Sequence, residues 1–284
     1  MGKLKISAVI PCKNEAHRLT DCVESLAGFA DEIIVVDDGS IDQTVELARS
    51  MGCVVIQADR GDKPLEVLCK IGFEKAHGDW IVSLDADEWM TPTLSRELKR
   101  VAMLEQYSAV SYARKNMIFG RWVRFGGWFV NDQKRFFRAD RWDRNWNCAI
   151  HLPPEISGKT CVLPLCEDYA TIHHDYHCVS QFVGRTLVRY AKQEGAQAVG
   201  LRKKFSLVRL IFKPIKRFVG RYFIRQGFRD GLVGLYLAML LSIYDILIEM
   251  NIWDKQRLGD AYEMPPVLAK EKTKKIEQKR LYAA

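Results

Sequence analysis

Residues 4–106 alternate between short apolar runs and segments whose apolar residues recur at helical spacing. Each apolar run predicts a strand and each amphipathic segment predicts a helix. The strand segments are KISAVIPC, EIIVVDD, CVVIQA and WIVSLDAD. EIIVVDD is a nearly continuous β-branched run, which is typical of a strand buried on both faces. This alternation predicts an α/β fold with a mostly parallel central sheet and helices on both of its faces.

Polar clusters follow three of the predicted strands. The first strand ends in PCKNE, the second in DDGS and the fourth in DADE. In an open parallel sheet, ligands bind beyond the carboxyl ends of the strands. The three clusters should therefore collect along one edge of the sheet and form a single polar site there.

The fourth strand carries three acids at its end, Asp85, Asp87 and Glu88. Residues two apart in a strand point to the same side, so Asp85 and Asp87 are predicted to face one site. Like charges this close need a positive partner, and two carboxylates suit Mg²⁺ or Mn²⁺ with phosphate oxygens completing the coordination shell. The alternative is a solvated turn whose acids cap the next helix. The two neighbouring clusters favour the metal site.

The second cluster, VVDDGSIDQT, places Asp37 and Asp38 directly after a buried strand, with Gly39 and Ser40 in a turn. One aspartate can bind a base or a ribose, while the other caps the following helix. The sequence contains neither the glycine-rich dinucleotide fingerprint nor a P-loop motif, which argues against both of those nucleotide-binding folds.

The pattern changes after residue 107. Short aromatic-rich segments from 108 to 176 predict strands joined by longer loops, and VSQFVGRTLVRYAKQEGAQ predicts a helix. Residues 195–229 then contain ten Lys or Arg and no Asp or Glu, interleaved with aromatic side chains. Such a stretch can meet an anionic membrane surface, form a solvated or internal face, or bind nucleic acid. No nucleic-acid motif accompanies it, so we expect the membrane surface and no nucleic-acid partner.

The segment 231–248 is apolar but contains Asp245. It is just at the length limit for a membrane span, and we expect a buried or interface-lying helix instead.

Eight cysteines are scattered without a CxxC pair, and MGKLKISAVIPCKNE has too short an apolar run for a signal peptide. Reduced cysteines and a cytosolic location are therefore expected. One group late in the chain has the residue types of a zinc site but no common zinc spacing: Cys161, Cys166, His173, His174, His177 and Cys178. A hydrogen-bonded structural histidine, or a histidine beside a metal-diphosphate, is favoured over zinc.

Together, IPCKNEA, VVDDGSIDQT and IVSLDADE resemble, in order and spacing, the GT-A nucleotide-sugar domain of family 2 glycosyltransferases. This match covers residues 4–106. The remainder resembles the branch of lipopolysaccharide-core β-1,4-glucosyltransferases, through GGWFVNDQKRFFR, the IH that follows it, GKTCVLPL and FRDGLVGLYLA.

The resemblance implies a GT-A catalytic domain at 1–178, with a nucleotide-binding half at 4–106 and an acceptor half at 107–178. A helical, basic and apolar region that associates with membranes would follow at 179–262. The charged tail at 263–284 is expected to be flexible.

The resemblance also implies roles for single residues. Asp38 would read a uracil-type base, while Asp87 and His173 would bind the metal. Arg135 and Arg138 would meet diphosphate or an acceptor phosphate, because guanidinium matches phosphate geometry. The full set of implied nucleotide-sugar contacts is Pro11, Lys13, Glu15, Asp38, Lys63, Asp85, Ala86, Arg135 and Arg138.

The implied reaction is an inverting transfer. A carboxylate removes the proton of the acceptor hydroxyl, the oxygen attacks the anomeric carbon, and the metal stabilises the leaving diphosphate. Glu155, in IHLPPE, is the first candidate for the base, and Asp168, in CEDY, is the second.

The expected protein is a metal-dependent hexosyltransferase that uses Mn²⁺ or Mg²⁺ and a UDP-sugar, with glucose as the first candidate sugar. Its acceptor would be a lipid-linked or lipopolysaccharide-core saccharide, and it would lie peripherally on the inner face of the cytoplasmic membrane.

Two alternatives remain. A nucleotidyltransferase should show a glycine-rich, basic signature near the N-terminus, which IPCKNEAHRL lacks. A non-catalytic membrane-bound scaffold on a GT-A fold should have a damaged metal motif, whereas DAD is intact.

Overall fold

The structure is a computed structural model that describes residues 4–61, 63–130, 133–148, 152–174 and 176–259. The chain divides into two compact units, Met1–His177 and Cys178–Ala284. The predicted tail at 263–284 and the histidine of the IH pair, His151, lie outside the described residues.

One sheet forms the centre of the first unit. Its strands are β1 (Ile6–Cys12), β2 (Glu32–Asp37), β3 (Val54–Gln57), β4 (Trp80–Ser83), β5 (Glu88–Trp89), β6 (Ala109–Ile118), β7 (Arg121–Trp122), β8 (Gln133–Arg138), β9 (Thr160–Val162) and β10 (Ala170–His174). The strand order is β3-β2-β1-β4-β8-β6-β10-β5, with β7 and β9 paired to β6. The helices are α1 (Ala16–Ser25), α2 (Thr44–Ser50), α3 (Glu66–Lys75) and α4 (Pro92–Ala102).

The strands β3, β2, β1 and β4 are parallel neighbours, and β8 then runs antiparallel to β4. Alternate residues of β1 are buried on opposite faces of the sheet. Ile10 joins an apolar cluster with Leu19 of α1 and Leu94 of α4. Val9 joins the cluster on the other face, with Phe73 of α3. The predicted α/β fold with helices on both faces of the sheet is confirmed.

The strand β6 changes partners along its length. Its first half pairs with β8 and β9, and the register of the β8 ladder shifts between Val110 and Tyr112. Its second half pairs in parallel with β10, with Asn116 opposite His173. This change of partner carries side chains from β6 and β10 toward the edge where the parallel strands end.

The fourth strand is shorter than the sequence predicts, because β4 ends at Ser83. Asp85 and Asp87 lie in a turn in which the backbone N–H of Glu88 donates to the carbonyl of Asp85 at 2.9 Å. The chain then enters β5, which pairs with β10. The expectation that the two aspartates share one side of a strand is therefore wrong, and each meets different partners.

The second unit is helical, as predicted for the C-terminal region. Its helices are α5 (Val179–Phe182), α6 (Ala191–Gly200), α7 (Leu207–Phe218) and α8 (Gly231–Leu258), with π-helical turns at Val183–Tyr190 and Val219–Ile224. One helical stretch of the described residues, Gly227–Leu258, is long and apolar enough to cross a membrane by length and composition. About two fifths of its most apolar part is buried in the protein, and a core helix meets the same criteria.

Candidate active site

The two aspartates at the end of β2 have separate roles. Asp37 is fully buried, and its Oδ2 accepts hydrogen bonds from the backbone N–H groups of Gly39 at 3.1 Å and Ser40 at 3.0 Å. The hydroxyl of Ser40 also donates to this carboxylate. Gly39 has a φ of +73°, which favours glycine. Asp37 therefore holds the turn, and Asp38 is the aspartate that remains for ligand binding.

Asp38 is held by two cations in the free protein. Its Oδ2 accepts from Arg60 Nε at 2.8 Å and from Lys13 Nζ at 3.4 Å, and its Oδ1 accepts from the backbone N–H of Arg60 at 3.1 Å. Burial acts to raise the pKa of Asp38, but the hydrogen bonds and charge of Arg60 outweigh it and leave that pKa lowered. The carboxylate is thus ionised and fixed in place, as a group that accepts a hydrogen bond from a base must be.

The lowered pKa of Asp38 predicts how its contribution to the free energy of unfolding depends on pH. The contribution of Asp38 should be complete above the unfolded-state pKa of about 3.9 and should be lost as the pH falls through its lower folded-state value. We expect Asp38→Asn to lower the free energy of unfolding at pH 7, and this deficit should shrink as the pH falls from about 5 to about 2. Urea unfolding across that range measures it.

Asp143→Asn is the matched control, because Asp143 is exposed and an amide oxygen can keep its hydrogen bond from the backbone N–H of Asn145. It should change stability little at any pH. A deficit for Asp38→Asn that is the same at every pH would contradict the prediction.

Two arginines bridge Asp85 and Glu88. Arg135 Nη2 lies 3.1 Å from Asp85 Oδ2, and its Nη1 lies 2.7 Å from Glu88 Oε2. Arg114 contacts the same two carboxylates, with its Nη2 3.1 Å from Asp85 and its Nε on Glu88. Burial acts to raise the pKa of Asp85, but Arg135 and then Arg114 hold it well below its usual range. The positive partners of these two acids are therefore guanidinium groups of the protein, and Ala86 lies buried beside them.

Asp87 lies between an arginine and a histidine. Arg18 Nη1 is 3.3 Å from its Oδ2, and His173 Nε2 is 3.5 Å from its Oδ1. The other ring nitrogen of His173, Nδ1, is 2.8 Å from Asn116 Oδ1, while Asn116 Nδ2 donates to the carbonyl of Trp128 at 2.6 Å. That second bond sets the orientation of the amide, so Nδ1 must carry the proton. The other ring nitrogen, Nε2, is therefore the one that faces Asp87.

This donor set fits a divalent cation. A carboxylate oxygen and an imidazole nitrogen face each other, and both are ligand types that a divalent cation accepts. The described residues contain no group of three or more His, Cys, Asp or Glu side chains that could hold a metal by themselves. Mg²⁺ and Mn²⁺ sites often use few protein ligands and take the others from water and substrate phosphate. Asp87 and His173 thus fit a metal that is bound jointly with a diphosphate.

Four further residues that the resemblance implies as nucleotide-sugar contacts are close in sequence to the arginines and carboxylates described above. Pro11 is buried in β1, and Glu15 lies at the start of α1 with its Oε2 3.9 Å from Arg18 Nη1. The side chain of Lys63 is exposed, and its carbonyl accepts from Arg60 Nη1 at 2.6 Å. Lys13 contacts Asp38 as described above. Pro11, Lys13, Glu15 and Lys63 therefore remain predicted nucleotide contacts.

The structure does not bring Arg138 or Asp168 to the cluster of charged groups. Arg138 is opposite Trp80, the first residue of β4, because β8 runs antiparallel to β4. It therefore lies at the amino edge of the sheet, while Arg135 lies at the carboxyl edge. Asp168 is exposed in a 3-10 turn, Glu167–Tyr169, which precedes β10 at the end of the strand opposite His173.

Glu155 lies in an exposed segment beyond the Arg138 end of β8, on the amino-edge side of the sheet, so the structure does not bring it to the charged cluster either. Its carbonyl accepts from the backbone N–H of Asp143 at 2.9 Å, and the next residue, Ile156, forms an isolated bridge with Trp142. The side chain of Glu155 is exposed. Its role as the base, like that of Asp168, stays a prediction.

Sequence reasoning missed four residues of the cluster: Arg18, Arg60, Arg114 and Asn116. Arg114 and Asn116 lie in a strand whose other residues are mostly buried, and a charged or amide group in such a strand is itself a signal. Arg18 lies three residues after Glu15, a spacing that brings side chains together at the start of α1. This pair could therefore also have been predicted from the sequence. Nothing local to Arg60 indicates that it would meet Asp38.

The family model described as glycosyl transferase family 2 matches residues 7–151, about half of the chain. The chain belongs to this family, and the predicted GT-A fold class and family 2 glycosyltransferase membership are confirmed.

The relatives extend over most of the chain. An uncharacterized glycosyltransferase of Rickettsia felis is 28% identical over 84% of this chain and 86% of its own length. The lipopolysaccharide core biosynthesis glycosyltransferase LpsC of Rhizobium meliloti is 25% identical over 90% of this chain and 94% of its own. Among solved structures, glucosyl-3-phosphoglycerate synthase from Mycobacterium tuberculosis with Mn²⁺ and UDP-glucose is 24% identical, with a TM-score of 0.34 over 38% of this chain and 43% of that one.

Proposed function

We propose that this glycosyltransferase moves a hexose, with glucose the first candidate, from a UDP-sugar to a saccharide of the cell envelope. The observation that carries the proposal is the meeting of Asp38, Asp85 and Asp87 at the carboxyl edge of the sheet, together with His173. These groups lie where open parallel sheets bind their ligands. Each has a partner that fixes its position before any ligand arrives.

The nucleoside would bind between the ends of β1 and β2. Asp38 accepts a hydrogen bond from the N–H of a uracil ring, and Arg60 keeps the carboxylate ionised and oriented. Lys13 is half-exposed beside Asp38 and would close over the nucleoside. Asp85 and Ala86 would contact the ribose or the sugar.

Asp87 and His173 would hold the divalent metal, which neutralises the leaving diphosphate when bound. Asn116 orients His173, so that its Nε2 is directed toward Asp87. Arg135 would contact the diphosphate by exchanging one of its two carboxylate partners for a phosphate oxygen.

Glu155 is the proposed base, with Asp168 as the second candidate. Neither residue lies in the charged cluster of the free protein, so catalysis by either requires its segment to approach the bound acceptor. The base takes the proton of the acceptor hydroxyl, the oxygen forms a bond to the anomeric carbon, and the bond from that carbon to the diphosphate breaks with its electron pair leaving on UDP. Attack from the face opposite the diphosphate inverts the anomeric centre.

The acceptor is proposed to be a lipid-linked or lipopolysaccharide-core saccharide. The name of the Rhizobium meliloti relative, which this chain matches along most of its length, supports this acceptor class. The basic stretch 195–229 supports a location at an anionic membrane surface, on the cytoplasmic face.

Thermal unfolding with UDP, GDP, CMP and dTDP, each with and without Mn²⁺, tests the proposal. A ligand at about 100 times its Kd adds about 2.7 kcal/mol to the stability of the folded state. For a chain of 284 residues that is roughly a 4–5 °C rise in Tm. We expect this rise with UDP only in the presence of Mn²⁺. A rise with another nucleotide would overturn the donor, and no rise with any would favour a non-catalytic scaffold.

Two variants, each measured for the UDP shift in Tm and for transfer of the sugar, distinguish the candidate bases. Glu155→Gln should keep the UDP shift and lose transfer of sugar from a UDP-hexose, while Asp168→Asn should keep both. The reverse pattern would make Asp168 the base.

A further inference from the structure

The α7–α8 pair carries its charges inside and its apolar side chains outside. Asp245 of α8 is buried, with Lys213 Nζ at 2.8 Å and Arg217 Nη2 at 2.7 Å. One turn later, buried Glu249 meets Arg209 Nε at 2.6 Å. The three cations are four residues apart on α7, so they form one stripe that faces the acids of α8. Three of the ten basic residues in 195–229 are therefore used in ion pairs between the two helices.

The opposite side of α7 is apolar and uncovered. Val208, Phe212 and Ile215 are 65%, 63% and 56% exposed. At helical spacing they lie away from the cation stripe. On α8, Met239 and Ile243 are 48% and 41% exposed, on the side opposite the acids. A water-soluble helix pair is expected to bury such a stripe and expose its ions, so this arrangement suits an apolar environment.

An apolar groove runs between the exposed stripes of the two helices. It has a volume of about 510 Å³ and is lined by five residues of α7, including Pro214 and Phe218, and four of α8. Its only polar lining residue is Ser242, whose hydroxyl donates to the carbonyl of Ala238 at 2.8 Å. The groove therefore offers no hydrogen bond to a ligand, and its lining suits a hydrocarbon chain.

Cations that the ion pairs do not use lie near this surface in sequence. Arg202, Lys203 and Lys204 precede α7, Lys216 is on its last turn, and Arg225 follows it. All five are exposed and make no ion pair with another residue of the described part of the chain. These five residues, which we call the rim cations, flank the apolar surface along the chain, and such a combination complements an anionic bilayer with its hydrocarbon beneath phosphate.

We propose that the α7–α8 pair is a lipid-docking hairpin, whose apolar groove takes the acyl chains of an anionic phospholipid bilayer while the rim cations meet its phosphates. This inference rests on the membrane association proposed above and assigns the surface responsible. The hairpin lies in the plane of the membrane. A span by α8 alone would leave Asp245 and Glu249 in hydrocarbon without their cations, which is unfavourable.

Vesicle flotation tests the surface. The full chain should float with vesicles of phosphatidylcholine and phosphatidylglycerol, and much less with phosphatidylcholine alone. Phe212→Glu and Ile215→Glu should each lower the floated fraction by about fivefold or more, because each places a charge against hydrocarbon. Leu165→Glu is the matched control, since Leu165 is 54% exposed in the first unit and should have no effect. Flotation that is equal in all four proteins would overturn the proposal.

Photolabelling tests the geometry. With a phospholipid that carries a diazirine on its acyl chain, we expect labels on both α7 and the exposed stripe of α8. Flotation without labels would mean adsorption by charge alone. Labels around all of α8 with none on α7 would mean a span. A dimer in solution that Phe212→Glu dissociates, with no flotation, would mean that a second copy covers this face. Each of these results overturns the proposal.

The Mn²⁺-dependent rise in Tm with UDP, measured on the same variants, distinguishes the proposal of a lipid-docking hairpin from the proposal of a UDP-sugar donor. It should be unchanged in Phe212→Glu and Ile215→Glu. Loss of the lipid result with the UDP shift intact would overturn the hairpin alone, and the reverse would overturn the proposed donor alone.

Discussion

Replacing Asp87 with asparagine is expected to lower the rate of sugar transfer by about a thousandfold or more. A metal supplies several kcal/mol of charge stabilisation to a leaving diphosphate, and each 1.36 kcal/mol is a factor of ten in rate. Asparagine keeps the shape of the side chain but removes the charge that faces His173 Nε2 across 3.5 Å. The measurement is release of UDP in the presence of Mn²⁺ and an acceptor.

A second readout separates loss of the metal from loss of the fold. Asp87→Asn should lose the Mn²⁺-dependent rise in Tm with UDP while its circular dichroism spectrum stays native. Asp254→Asn is the matched control, because its partner is an exposed arginine three residues later, Arg257, on α8. Asp254→Asn should retain transfer and the UDP shift. Turnover of Asp87→Asn within twofold of the native rate would show that the metal, if used, is held elsewhere.

The largest loss of stability is expected from Glu88→Gln. The Glu88 carboxylate is fully buried and contacts Arg114 and Arg135. Removing one partner of a buried ion pair costs about 3–5 kcal/mol, and here Asp85 alone would be left to compensate two guanidinium groups. Glutamine preserves the volume, so the change tests charge and not packing. The free energy of urea unfolding measures the effect.

Glu97→Gln provides the comparison. Glu97 pairs with Arg100 three residues later on α4, and Arg100 is largely exposed. Exposed pairs contribute about 0–1 kcal/mol, so this variant should lie close to the native protein. Equal losses of stability for Glu88→Gln and Glu97→Gln would show that the contacts of Glu88 with Arg114 and Arg135 are no stronger than an exposed ion pair.

The acids of the site were predictable because they are local. Asp38 directly follows a buried strand, and Asp85 follows another, so their place at the carboxyl edge comes from strand order alone. The partners of those acids were not predictable in the same way. Arg114 is 29 residues from Asp85 and Arg135 is 50 residues away. These two arginines reach Asp85 only because β6 changes partners along its length and β8 runs antiparallel to β4. No local sequence pattern encodes either feature.

The C-terminal region shows the same division. The sequence established that residues 195–229 hold ten basic residues and no acid, and that an apolar helix carrying Asp245 follows. It did not show which cations would be used internally. Pairing across α7 and α8 decided that Lys213 and Arg217 meet Asp245, and this left the apolar stripes outside.

By itself, the sequence determined the α/β class, the edge at which the acids collect and the glycosyltransferase family, because strand and helix periods and strand-end motifs are properties of adjacent residues. Only the tertiary structure decided which guanidinium meets which carboxylate, and that Asn116 orients His173 toward Asp87. Electrostatic pairing acts through space over a few ångströms, and the chain brings distant residues that close only when the whole sheet has formed.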